Sequence, residues 1–190
     1  MKIVLYSLNY APEPVGIGKY SGEIACWLAA SGHEVRVITA QPYFPAWSVF
    51  LGYRNRFSLD HDQGVRVFRC PLWVPRHPTG FTRILHLASF AVTSIGPLLT
   101  QLRWRPDVVM TVAPAFFCAP GALLFGRLCG GRTLTWLHIQ DFELDAAFEL
   151  GLLKGKFLRS LAASFERRTL SGFNRVSSIS IAMVHKLAFK

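Results

Sequence analysis

The chain has 190 residues and a mass of 21.3 kDa, the size of one ordinary domain. Hydrophobic residues make up 51% and charged residues 17%, which excludes a disordered chain, a coiled coil and a collagen-like repeat; a chain this long buries roughly 70% of its unfolded surface and needs no disulfide staples. The 21 Lys+Arg against 11 Asp+Glu give a formal net charge of +10, which favours an anionic partner: a phosphate-bearing ligand, acidic lipid head groups or nucleic acid.

Short apolar runs alternate with helical patterns along the chain. The first run, Lys2–Leu8, does not read as a signal peptide, because Asn9, Pro12, Glu13 and Pro14 interrupt it before any cleavage-like site. A helix follows over Ile17–Ser31, with Ile17, Tyr20, Ile24, Trp27 and Leu28 at spacings of three and four and Gly32 as its stop. Further runs lie at Glu34–Thr39 and Val65–Cys70, then a long helix over Phe81–Arg103, a run at Asp107–Val112 and a helix from Pro114 to Leu128. Thr133–Ile139, a helix over Phe157–Ser171 with Phe157, Leu158, Leu161, Ala162 and Phe165 on its apolar face, and Arg175–Ser180 complete the alternation. Val, Ile and Leu nearly fill the first and fourth runs, and runs alternating with helices predict an α/β fold: a doubly wound, mostly parallel Rossmann-like sheet covered on both faces. That domain spans 1–180. Ser180 then caps a helix over 181–190, which either packs back or begins the path to a C-terminal domain.

The four cysteines, Cys26, Cys70, Cys118 and Cys129, show no Cys-x-x-Cys spacing and sit among apolar or small residues. They read as reduced, buried thiols rather than metal ligands. No metal and no cofactor is expected.

The loop after the first strand carries Gly16-Ile17-Gly18-Lys19 at the start of a helix. Two glycines there let backbone N–H groups approach an anion, the helix dipole favours it, and Lys19 adds charge; the alternative is a plain turn into the helix. The dinucleotide fingerprint fails, because Ser21 stands at the third small position and Thr39-Ala40-Gln41-Pro42 offers no acid after strand two. The P-loop pattern fails too, since Tyr20 follows Gly18-Lys19. A nucleotide-binding oxidoreductase is therefore disfavoured.

At the end of the fifth run, His138 is followed by Asp141, Glu143, Asp145 and Glu149, a concentration of acid in a basic chain. A histidine at a strand end can donate to a sugar hydroxyl or a phosphate oxygen, and a neighbouring carboxylate can take a hydroxyl proton. A core histidine and a solvated helix start are the structural alternatives. The weight falls on function for His138 and Asp141, leaves Glu143 open, and falls on the helix start for Asp145 and Glu149.

Ile84–Leu102 contains no charged residue over 19 positions, and Arg76, Arg83, Arg103 and Arg105 flank it. Length alone nearly suffices to cross a bilayer. Its polar residues and its positive flanks on both sides instead favour a helix lying in the plane of an acidic membrane surface, half-buried on the sheet. Nucleic acid is not expected, because the basic residues are spread between oily segments with no recognised binding motif.

With Asn9-Tyr10-Ala11-Pro12-Glu13, Gly16-Ile17-Gly18-Lys19-Tyr20, Gly32-His33-Glu34, Pro42-Tyr43-Phe44-Pro45, Cys70-Pro71-Leu72-Trp73, Phe117-Cys118-Ala119-Pro120, His138-Ile139-Gln140-Asp141 and Ser177-Ser178-Ile179-Ser180, the chain resembles the N-terminal domain of family 4 retaining glycosyltransferases with the GT-B fold. The members that serve colanic acid, an exopolysaccharide, resemble it most. The resemblance implies two Rossmann-like domains facing across a cleft. The N-terminal one binds the acceptor, the C-terminal one binds most of the nucleotide-sugar, and transfer proceeds with retention and no required metal. By motif, Gly16, Ile17, Gly18 and Lys19 match the loop near the donor diphosphate. His138 matches the histidine that reaches the donor sugar, and Asp141 joins it as catalytic. Tyr10, Tyr43 and Glu143 fall where acceptor contacts are expected. A polyprenyl-diphosphate-linked sugar is the implied acceptor, on the cytoplasmic side at the inner face of the plasma membrane. The family's donor-binding Glu pair has no counterpart in these residues, so the chain alone is expected to be weak or inactive, completed by a separate donor-binding domain or subunit. The competing class is a non-catalytic module that binds a lipid-linked sugar or a donor-binding partner.

Overall fold

The structure, a computed structural model, describes residues 1–113, 116–141 and 156–188. Seven strands form one sheet in the order β3-β4-β2-β1-β5-β6-β7, with β1 Lys2–Ser7, β2 Glu34–Ala40, β3 Ser58–Asp62, β4 Val65–Cys70, β5 Val108–Ala113, β6 Leu134–Ile139 and β7 Arg175–Ser178. All neighbouring pairs are parallel except β3 with β4. This is the doubly wound sheet the alternation predicts. β5 is buried at every position and β1 at all but Lys2, as central strands covered on both faces require.

β3 escaped the hydrophobic pattern. It reads Ser-Leu-Asp-His-Asp and runs antiparallel at the sheet edge, where polar residues suit a strand with one unpaired side. At the other edge β7 has four residues, and side chains fasten it. Asn174 Oδ1 accepts from Thr135 N and Oγ1, both at 2.9 Å, and Ser178 Oγ donates to Ile139 O at 2.7 Å.

Five helices are described: α1 Gly16–Ala30, α2 Gly80–Thr100, α3 Ala119–Leu128, α4 Lys156–Gly172 and α5 Ile181–Ala188. A 3-10 turn at Gln101–Arg103 extends α2 to the predicted end, and another at Phe116–Cys118 delays α3 to Ala119 instead of the expected Pro114. Ser180 caps α5 as expected, its Oγ accepting from Met183 N at 3.2 Å. Helices α2 and α3 pack over Val4, Tyr6, Ile38 and Val109 on one face of the sheet, and α1 over Leu5, Val37, Val67 and Met110 on the other. All four cysteines are free, and burial pushes the Cys70 thiol up to about 12.

Two helix faces differ from the sequence pattern. Tyr20 and Trp27 of α1 are exposed, and the helix buries Gly18, Ser21, Gly22 and Ala25 instead. Leu161 and Phe165 of α4 are likewise exposed, while Glu166 and Thr169 face inward. In α1 the reason is distance. Small residues bring the helix axis close to the strand and its loop, and the large apolar side chains cannot fit beneath it. A Cβ built on Gly22 comes within 2.9 Å of Ala11 Cβ, a contact neither backbone can relieve cheaply. Gly→Ala in an open helix stabilises by about 1 kcal/mol. Gly22→Ala is expected to reverse that sign and cost about 1 kcal/mol through overpacking, read as a lower urea midpoint.

Candidate functional site

The strand order places β1 beside β2 on one side and β5 on the other, so connections leave in opposite directions at the β1–β5 boundary. A crevice beyond the carboxyl ends of the strands is the binding place that such a sheet offers. Four segments enter it here: the loop of residues 8–15, the loop of residues 41–57, the stretch 71–79 that leads into α2, and the end of β6 at His138–Asp141.

The first two are tied by Glu13, which is 2% exposed. Its Oε1 accepts from the backbone N–H groups of Tyr43 and Phe44, each at 3.0 Å, and its Oε2 accepts from Asn9 Nδ2 at 2.8 Å. Burial raises its pKa above the ordinary carboxylate value, against the pull of these donors and the nearby Arg69 charge. Glu13 also explains Gly18, since a Cβ there would lie 2.6 Å from both Glu13 Cβ and Oε2. Gly16 has a different reason: its φ of +59° is the left-handed conformation that glycine adopts without a steric cost. Val15 precedes the helix in an extended conformation with no side-chain cap, and the first turn of α1 holds no acid. The amide N–H groups at this helix start therefore have no capping side chain, the arrangement that accepts an anion. Ser21, at the third position of the failed dinucleotide fingerprint, is fully buried and bonded to Ser7 Oγ at 3.2 Å. The glycine loop and the close helix–strand contact are thus present without the dinucleotide pattern.

Lys19 does not point into this loop. It pairs with Glu23 at 3.9 Å on the exposed side of α1, a contact of small energetic weight. Tyr10 is buried, with its hydroxyl donating to Asp62 Oδ2 at 3.3 Å, so its side chain faces β3 rather than the crevice. Tyr43 is also buried, against His86 with ring centroids 4.6 Å apart and against Trp47 at 5.6 Å. Arg83 lies over the Trp47 ring at 5.6 Å. His86 Nδ1 donates to Trp73 O at 2.6 Å, which leaves Nε2 a bare acceptor buried without a hydrogen bond, and burial lowers the ring pKa. Arg76, Arg83, Arg103 and Arg105 are all exposed. The first pair sits at the start of α2 and the second beyond its end, about 30 Å apart along a helix of this length.

His138 lies one residue before the carboxyl end of β6, as expected. It is half-buried, its Nδ1 is 2.9 Å from Ser177 Oγ, and burial lowers its pKa, which keeps the ring neutral. Asp141 is exposed just beyond. The carboxyl ends of β1 and β6 are two strand spacings apart, about 10 Å, so the glycine loop and His138 border one crevice. Glu143, Asp145 and Glu149 lie outside the described residues, and no group of metal-ligating side chains forms among the described residues. Sequence reading missed Glu13, His86 and Ser177. Glu13 had one signal, a carboxylate between Pro12 and Pro14 in an otherwise uncharged loop; the other two acquire meaning only from strand pairing and packing.

The chain is similar to known proteins in sequence and in fold. Residues 15–190 match the glycosyl transferase 4-like domain. A curated protein of Escherichia coli (strain K12), WcaI, named as a colanic acid biosynthesis glycosyl transferase, is 50% identical over 98% of this chain. The chain spans 46% of that relative, about half its length. Among solved structures, the catalytic domain of starch synthase IV from Arabidopsis thaliana, described as bound to ADP and acarbose, superposes with a TM-score of 0.53. It is 17% identical and covers 75% of this chain and 34% of its own. That likeness concerns the fold.

Glu13→Ala would leave the Tyr43 and Phe44 N–H groups buried without an acceptor, a loss of about 2–4 kcal/mol. Glu13→Gln keeps a carbonyl for both donors and should cost about 1 kcal/mol. Urea denaturation of both variants separates the two outcomes, and equal losses would mean that the charge, not the acceptor, holds the loops.

Proposed function

The chain belongs to the glycosyl transferase 4-like family, and from that premise we propose that it is the acceptor-binding half of a retaining glycosyltransferase. The enzyme moves a sugar from a nucleotide-sugar to a glycan carried on a polyprenyl diphosphate, in bacterial exopolysaccharide synthesis. The observation that carries this reading is the start of α1 behind Gly16, without a side-chain cap and with no acid among its own first-turn residues, at the switch point of the sheet. There the helix N-terminus stabilises the negative charge that develops on the departing nucleoside diphosphate. His138, neutral and at the end of β6, meets the donor sugar; Asp141 accepts the proton of the attacking acceptor hydroxyl. For retention the acceptor oxygen enters on the face that the diphosphate leaves: the bond from the anomeric carbon to the diphosphate breaks ahead of the bond to the acceptor oxygen, which forms on that same face. A second domain or subunit closes the crevice and supplies most of the contacts to the nucleotide.

We further propose that the protein works peripherally on the inner face of the plasma membrane, through α2. The segment Gly80–Arg103 is long and apolar enough to cross a membrane, yet about a third of it is buried in the domain. Leu87, Phe90 and Leu98 face the sheet, while Phe81, Leu85, Val92, Ile95 and Leu99 form an exposed apolar stripe. Arginines stand at both ends of the stripe. A helix with one face already committed to its own core suits the interfacial plane, with the stripe in the acyl boundary and the arginines at head groups.

In the full-length protein, His138→Ala is expected to lower kcat about 100-fold in nucleotide-sugar transfer and to leave vesicle binding unchanged. Loss of neither, or of both together, would remove His138 from the chemistry. Flotation with vesicles of acidic phospholipid should weaken with salt. It should fall at least tenfold when Arg76, Arg83, Arg103 and Arg105 are all replaced by Gln. Flotation indifferent to lipid charge and salt would sink the membrane reading while leaving transfer untouched.

A further inference from the structure

In β6 the side chains of Trp136 and His138 share one face, and β7 places Ser177 directly opposite His138 in the ladder. Ser177 Oγ lies 2.8 Å from Trp136 Nε1 and 2.9 Å from His138 Nδ1, so one hydroxyl touches both rings. An indole N–H can only donate, so the Trp136 contact fixes Ser177 Oγ as an acceptor on that side. The hydroxyl proton then needs an acceptor of its own, and His138 Nδ1 is the one in reach among the described residues. The opposite tautomer would make Ser177 Oγ accept twice and leave its proton no acceptor among the described residues.

We propose that Ser177 and Trp136 are positioning residues for His138: a relay from Trp136 Nε1–H to Ser177 Oγ–H to His138 Nδ1 holds the imidazole as the Nε2–H tautomer, a hydrogen-bond donor at the crevice rather than a base. Nε2 has no partner among the described residues and is not among the buried unpaired atoms, so its proton remains available to a ligand. Burial lowers the ring's pKa, so the donor is neutral and needs no counter-charge. The relay also divides the work at the site. A ring whose Nδ1 lone pair is already engaged cannot take the acceptor's proton, which leaves proton removal to a carboxylate such as Asp141. The identity of the atom that Nε2–H meets, an oxygen of the donor sugar, rests on the functional reading above; the tautomer does not.

The test is long-range 1H–15N correlation of histidine-labelled protein, with the His138 signals assigned by their loss in His138→Gln. The wild-type protein should show Nε2 as the protonated, pyrrole-like nitrogen and Nδ1 as an unprotonated nitrogen shifted by an accepted hydrogen bond. In Ser177→Ala, Nδ1 should move to the position of a free lone pair, and Ser177→Thr should restore it. A protonated Nδ1 in the wild type, or an Nδ1 unmoved by Ser177→Ala, overturns the relay. In the full-length protein, Ser177→Ala should lower kcat about tenfold with the acceptor KM unchanged, and Ser177→Thr should recover it. Unchanged kcat in Ser177→Ala would overturn the positioning role even if the bond exists. A relay seen by NMR together with full transfer activity in His138→Ala would instead defeat the functional reading and leave the relay standing.

Discussion

The β1 side of the crevice depends on one buried carboxylate. Glu13 sits in the loop that leaves β1; it accepts from the Tyr43 and Phe44 N–H groups of the segment leaving β2, which joins the two loops, and from Asn9 within its own loop. A carboxylate in such a place costs desolvation energy, which the raised pKa records. Two adjacent backbone N–H groups and a side-chain amide offset that cost, and they fix where Tyr43 and Phe44 can be. The same side chain dictates a glycine at position 18. The glycine that motif reading assigns to close approach of a phosphate is therefore required first by the protein itself, and the open helix start follows from that packing.

From Glu13 the contacts run outward in both directions. Toward α1, Gly18, Ser21 and Gly22 let the helix lie close on β1 and its loop, so its N-terminus is held at the switch point. Toward α2, Tyr43 packs edge-to-face against His86 and Trp47, and Arg83 covers Trp47. The uncapped start of α1 and the first turns of the apolar helix are thus parts of one connected set of contacts.

The fold was legible because central strands buried on both faces must be apolar throughout, and β1 and β5 are. The edges were not. β3 is polar and antiparallel, so neither continuous apolarity nor a crossover helix announces it. Helix faces were legible only where large side chains make the contact. The α1 pattern drew the eye to Tyr20 and Trp27, whereas the buried side is made of Gly, Ser and Ala, which carry little hydrophobic signal. At the site, His138 was readable because a histidine at the end of an apolar strand is conspicuous. Ser177 was not, because its partnership with His138 is created by the β6–β7 register across 39 positions of chain. Tyr10 shows the converse: a loop tyrosine beside a glycine motif suggests ligand contact, yet the chain turns it under Arg69 toward Asp62.

The placement of the two proposed surfaces bears on how they work together. The α2 stripe lies on the outer side of a helix whose inner side packs on β1, β2 and β5. His138 projects from the opposite face of the sheet, the face that carries Trp136. A membrane against α2 therefore covers neither His138 nor the start of α1. It approaches the crevice from the end where α2 begins, at Arg76, Arg83 and the exposed Trp73. An acceptor anchored in that surface by a lipid tail and carrying a diphosphate would meet arginines before it met the glycine loop, with the charged group at the interface and the sugar extended toward Asp141. In the proposed enzyme, this arrangement lets the donor arrive from the cytoplasmic side and the acceptor from the membrane side without competing for one entrance.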